Sequence, residues 1–195
     1  MDIEKVISSR ASCRNYKDKK VTLDLIYKML NAATKAPSAG DLQNWRFVVV
    51  RDKNKISEIA KVCLSQKWIS KAPCLIVICN DKERVMKMFP KKGEIYSIQS
   101  CAVAASHITL MAEELGLGSC WIGAFDENAV KNILNIDEAG VEIILTVGYP
   151  EEKEKKPAQC DVTNITYFDE WGKRESNDKL DLKGKLKEIL RKIKK

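Results

Sequence analysis

The sequence has one histidine, His107, and its seven cysteines are an odd number with no C-x-x-C pair. These absences remove the usual ligand spacings of zinc and iron–sulfur sites. They also leave no Ser–His–Asp or Cys–His arrangement to build on. His107 falls inside an expected helix, where a place in the core or on the helix face is the ordinary role. No G-x-G-x-x-G element is present, which argues against a Rossmann-type dinucleotide site. No apolar run approaches the ~18–20 residues a membrane span needs. The opening MDIEKVISSR carries charges and lacks the apolar centre of a signal peptide. A cytoplasmic protein with free thiols is therefore expected. Cys74 and Cys79 bound the apolar run CLIVIC, where a thiol behaves as a small hydrophobe.

What remains is an ordinary globular composition: 195 residues, 45% hydrophobic and 31% charged, enough for one domain with a sizeable core. The net charge of +7 is unevenly spread, with eight basic against three acidic residues from Ser176 onward. The body is close to neutral, so no protein-wide nucleic-acid surface is implied. The tail also has no aromatic residue after Trp171 on which bases could stack.

The chain reads as alternating helices and strands. Residues 2–9 form a short helix. A stronger one covers 22–35, with Thr22 as cap and Leu23, Ile26, Tyr27, Leu30 and Ala33 at helical spacing, ended by Pro37. Strands are expected at 46–50 (RFVVV), 74–79 (CLIVIC), 119–123 and 141–147 (VEIILTV), and helices at 53–62 and 127–134. Residues 98–115 are apolar around most of the helix circumference, the mark of a buried central helix, and Gly116 fits its C-terminal cap. After Pro150 the charged stretch EEKEKKP opens a segment too poor in apolar residues to have its own core. It reads as an arm around a partner subunit. The last 24 residues, 172–195, carry a basic amphipathic helix over 182–193. Docking on the body or on a partner explains that helix more simply than an anionic membrane does.

Three stretches carry the chemistry. In RASCR, Arg10, Ser12 and Arg14 alternate, so an extended backbone places them on one side as a phosphate site. Alone, the same residues also read as an exposed basic loop. In APSAGDLQNW (36–45), small residues allow close approach to a flat ligand, though a plain helix-to-strand connection looks the same. In GLGSCWIGAF (116–125), Gly123 follows a strand and exposes a backbone N–H suited to a ring nitrogen.

In this order, with Ala72-Pro73-Cys74, VGYP at 147–150 and Lys155-Lys156-Pro157, the stretches resemble the nitroreductase family over residues 3–171. The resemblance implies an α+β fold with a central mixed sheet and a buried long helix. It implies an intertwined homodimer with FMN at the interface, a domain spanning 1–171, and a C-terminal dimer arm from about 151. Arg10, Ser12 and Arg14 would hold the FMN phosphate and ribityl end. Pro37, Ser38 and Ala39 would line the flavin from the partner subunit. Ile122 and Gly123 would lie beside the ring, the Gly123 N–H toward flavin N5. Lys156 with Lys155 would close the phosphate site, and Gln66 would reach the ring's polar edge.

The implied reaction is ping-pong: NAD(P)H gives hydride to N5, leaves, and a small-molecule acceptor such as a nitroaromatic or quinone takes its place. The acceptor would be chosen by residues 83–96, with Met86, Met88, Phe89 and Tyr96, and by Trp68, as a mobile lid. The same fold could instead serve dehalogenation, enone reduction or flavin fragmentation, or hold flavin without catalysis. Asp41, Asn44 and Gln99 depart from the family's usual Asn, Pro and Asp, and KKP replaces an arginine-containing tail element.

Overall fold

The computed structural model describes residues 2–152, 156 and 158–174. These fall in two compact units, Met1–Lys156 and Pro157–Lys195. Lys155 and the expected helix over 182–193 lie outside the described residues.

The first unit is α+β. Its helices are α1 (Ile3–Ser9), α2 (Leu23–Ala33), α3 (Lys53–Val62), α4 (Glu83–Met88), α5 (Gly93–Glu114) and α6 (Glu127–Leu134). Its strands are β1 (Trp45–Val50), β2 (Cys74–Asn80), β3 (Gly118–Ile122) and β4 (Gly140–Gly148). Local chemistry sets most of the helix starts. Asp2, Thr22, Asp52 and Asp126 each accept a backbone N–H of the first turn, satisfying a donor that the helix leaves open. The helix α2 stops at Ala33, with its C-cap at Thr34, three residues before Pro37.

The sheet order is β1-β2-β4-β3, and every named pair is antiparallel. The expected mixed character is confined to the β3 edge, where Ser12 makes an isolated parallel bridge with Ser119. Side-chain alternation then builds two cores. Cys74, Ile76 and Ile78 of β2 point to the α2/α5 face with Ile143, Leu145 and Val147 of β4. Leu75, Val77 and Cys79 point to the other face with Ile56, Ile59, Ile69 and Val130. All of β2 is buried, which is why CLIVIC reads as a continuous apolar run rather than an alternating one.

The helix α5 is longer than its apolar pattern suggests. It starts at Gly93, not near residue 98, and has no side-chain N-cap to mark its beginning. Its 22 residues have the length and composition of a membrane span, although the sequence shows no uninterrupted run of that length. In the fold Cys101, Ala104, Ala105, Ile108 and Ala112 are fully buried against the sheet and α2. Burial is one-sided, however: Ile95 and Ile98 are exposed, as are Ile3 and Ile7 of α1 and Leu23 and Tyr27 of α2. His107 is half-buried, its Nδ1 3.1 Å from the Ala32 carbonyl. It borders an apolar groove of about 310 Å³ with Ile3, Val6, Ala32, Leu110 and Met111.

In the second unit a 3-10 turn (Val162–Asn164) is capped by Asp161, and Tyr167 contacts both the Trp171 ring and the Arg174 guanidinium.

Candidate functional site

The R-x-S-x-R stretch runs along β3. Besides the Ser12 bridge, Cys13 donates its N–H to the Ser119 carbonyl at 2.9 Å. Tyr16 clamps the stretch from below: its hydroxyl lies 2.6 Å from the Cys13 carbonyl and 2.7 Å from Thr146 Oγ1. Burial pushes the Tyr16 phenol far above its ordinary value, so it stays a neutral hydrogen-bonding group. Gly118 has a packing reason: a Cβ there would lie 2.6 Å from Cys13 Cβ and 2.7 Å from its Sγ.

Along this edge Arg10, Ser12 and Arg14 each act on one thiol, that of Cys120. Burial raises the Cys120 thiol, and Arg14, the Ser12 hydroxyl and Arg10 each pull it back down. Arg10 and Ser12 are half-buried and Arg14 is exposed. The neighbours Ala11 and Cys13 instead line a groove of about 720 Å³ with Lys5, Gly118 and Glu151. The three chemical residues are thus separated from the two between them, as period two requires.

Ile122 ends β3 buried in the second core, and Gly123 follows it exposed. A Cβ on Gly123 would meet no atom nearer than Trp121 Nε1 at 3.8 Å, so nothing in this chain requires glycine there. That open face fits a position kept clear for a ligand. Gln66 does not reach outward. Leu64 and Ser65 are both left-handed, with φ of 52° and 53°, and the loop they form turns the Gln66 amide back to the Cys63 carbonyl at 3.0 Å. Lys156 stays exposed, and its ammonium meets the Ile7 and Ser8 carbonyls at 3.0 and 3.4 Å, at the C-terminal end of α1.

Pro37, Ser38 and Ala39 lie elsewhere, on the α5 face, around a cavity of about 200 Å³ with Tyr96, Gln99, Ser100 and Val103. The Ala39 N–H donates to Ser100 Oγ at 3.2 Å, and Ser38 Oγ accepts the Gln43 N–H at 3.0 Å. Gly40, Asp41 and Gln43 are all left-handed. Gly40 also lies against α4, where a Cβ would fall 2.6 Å from Met88 Sδ. The set assigned to a lid divides accordingly. Met88 packs at Gly40, Phe89 is near it and edge-on to Tyr96, whereas Trp68 belongs to the opposite core and lies under Arg14.

Sequence reasoning missed the buried network behind this loop. Asn44 Nδ2 donates to Asn80 Oδ1 at 2.7 Å and to the Ser97 carbonyl at 3.1 Å. Asn80 Nδ2 in turn donates to Ser97 Oγ and to Glu142. Asn44, noted only as a departure from proline, thereby ties β1, β2 and α5 together. No local pattern signals such long-range pairing.

The comparisons with known proteins agree with this architecture. The Nitroreductase family pattern matches residues 7–70 and 63–149. A protein of Methanothermobacter thermautotrophicus, whose name pairs NADH dehydrogenase with NAD(P)H nitroreductase, is 32% identical over 157 residues, covering 78% of this chain and 79% of that protein. The iodotyrosine deiodinase of Thermotoga neapolitana is 30% identical over 174 residues, covering 75% of this chain and 88% of that protein. The structure of an FMN-dependent nitroreductase from Clostridium difficile superposes with a TM-score of 0.72 at 32% identity, covering 85% of this chain and 98% of that one. The chain belongs to the nitroreductase family.

Proposed function

We propose that this chain is an NAD(P)H-dependent FMN oxidoreductase that reduces planar acceptors such as nitroaromatics and quinones, working as a homodimer. The coarse activity follows from family membership. The finer reading is carried by one observation: the candidate site residues occupy two separate places on one chain. Residues 10–14 run along the β3 edge, while Pro37–Ala39 line a cavity on the α5 face. A second copy would supply the missing half to each. The exposed apolar side chains of α1, α2 and α5 offer the surface for it.

FMN, when bound, supplies the carrier that accepts hydride at N5 and delivers it to the acceptor in ping-pong order. The protein's residues bind and orient. Arg10, Ser12 and Arg14 offer two guanidinium forks and a hydroxyl to a phosphate. Gly123 stands three residues beyond Cys120 along an extended chain, about 10 Å at ordinary strand rise. That separation suits a ligand with an anionic end and a flat ring, beside which Ile122 would pack and to which Gly123 would offer its N–H. Lys156 would reach the anionic end by leaving the α1 carbonyls, and Lys155 would join it there. Gln66 would contact the ring's edge after the same kind of turn. The exposure of Gly123 lets water supply protons, so no side chain is needed as an acid.

The test is the absorption spectrum of purified protein before and after anaerobic NADH, then NADPH, with molecular mass by light scattering. A flavin band that bleaches, in a dimer, is expected. Protein that takes up no FMN would sink the reading. The likeness to an iodotyrosine deiodinase favours a second reading, reductive dehalogenation. Reoxidation of the reduced protein by a halogenated phenol, and not by a nitroaromatic, would select it.

A further inference from the structure

We propose that Trp68 is a positioning residue that holds the Arg14 guanidinium ready for an anion. The inference rests on the reading of residues 10–14 as a phosphate site. Arg10 and Arg14 act on the same thiol, Cys120, yet their settings differ: Arg10 is half-buried and Arg14 is exposed. An exposed arginine loses rotamer freedom when a ligand fixes it, unless something has already restrained it. Trp68 is placed to do so. The Arg14 Cζ lies 5.6 Å from the centroid of the Trp68 ring, inside the ~6 Å range of a cation–π contact.

Trp68 is itself held. It sits in the 3-10 turn Lys67–Lys71 beside fully buried Ile69, and it packs against the core that contains Ile59, Cys63 and Ile122. The two left-handed residues Leu64 and Ser65 set the entry to that turn. An aromatic ring that restrains a guanidinium restrains the plane of its N–H donors, which it cannot do for a lysine ammonium. The indole thus contributes to anion binding with no ligand contact required of it. It also differs from the role in acceptor choice that its aromatic nature suggests.

The test is to load full-length protein in turn with FMN and with riboflavin, which lacks the phosphate, and read both dissociation constants from flavin fluorescence. Trp68→Leu should weaken FMN binding about fivefold, the worth of an exposed cation–π contact, and leave riboflavin within about twofold. Trp68→Phe should stay near wild type. In an Arg14→Ala background Trp68→Leu should cost FMN nothing further. Equal loss for FMN and riboflavin would make Trp68 a wall of the flavin pocket and overturn the proposal, as would a full Trp68→Leu effect without Arg14. If Trp68→Leu does not fold, Arg14→Lys carries the test. It should lose about the same fivefold for FMN alone, and binding as tight as wild type would overturn the idea. If neither Arg10→Ala nor Arg14→Ala changes the ratio of FMN to riboflavin affinity, the phosphate reading itself fails, whatever Trp68 does.

Discussion

The α5 face and the β3 edge of the sheet hold their parts of the candidate site by different means. On the α5 face, residues 37–43 are shaped by backbone. Three left-handed residues, a donation from the Ala39 N–H to Ser100 and close packing on Met88 set the loop. At the β3 edge, residues 10–14 are held to Ser119 by Ser12 and Cys13, and the chemistry is in long charged side chains. The first part depends on conformation and tolerates a change of charge. The second depends on charge and on an undistorted edge.

The largest expected effect concerns both faces at once. Burial pushes Cys74 up to about 12, and Cys101, on the same face, to about 12. Cys63 and Cys79 on the other face are pushed up to about 11. Because the folded values lie above the ordinary one of 9.0, the neutral thiols contribute stability that is fully present below about 9. It is lost as pH rises through about 11 and then 12. Denaturant melts should be flat from pH 7 to 8.5 and then fall by about 1.4 kcal/mol per pH unit for each thiol that ionises only when unfolded. At pH 8 a thiol reagent should label Cys160 quickly and the six buried cysteines only on unfolding.

Next comes the edge itself. Gly118→Val should cost about 3 kcal/mol in a urea melt, because its side chain would drive into Cys13. Tyr16→Phe should cost about 1–3 kcal/mol, since it leaves the Cys13 carbonyl and Thr146 without their buried partner. A smaller effect, on binding alone, is expected of Arg10→Ala: about tenfold weaker FMN with an unchanged melt. The smallest is Asp41→Asn. Asparagine keeps an acceptor for Gln43 Nε2 and tolerates the left-handed backbone. Stability should stay within about 0.5 kcal/mol and FMN affinity within about twofold. A large loss of FMN from Asp41→Asn would break the contrast, because the loop would then act through its charge.

The strands and most helices were legible because each carries its own signal. CLIVIC is buried throughout, VEIILTV is buried except at Glu142, and Thr22 is a cap residue ahead of a periodic stretch. The start of α5 was not, since Lys92 caps nothing and residues 93–97 mix glycine, acid, aromatic and serine. In the site, the alternation of Arg10, Ser12 and Arg14 was legible as local geometry. The inward turn of Gln66 was not, because two successive left-handed residues without glycine leave no mark in composition. The pairing of Trp68 with Arg14 spans more than fifty residues and no local pattern announces it.

Ser100 has a mechanical consequence. Its Oγ donates to the Tyr96 carbonyl one turn back and at the same time accepts the Ala39 N–H. One oxygen therefore belongs to the central helix and to the loop. The loop cannot drift by itself without giving up that bond, and a tilt of α5 would carry the loop with it. A single hydroxyl therefore couples the pocket wall to the central helix.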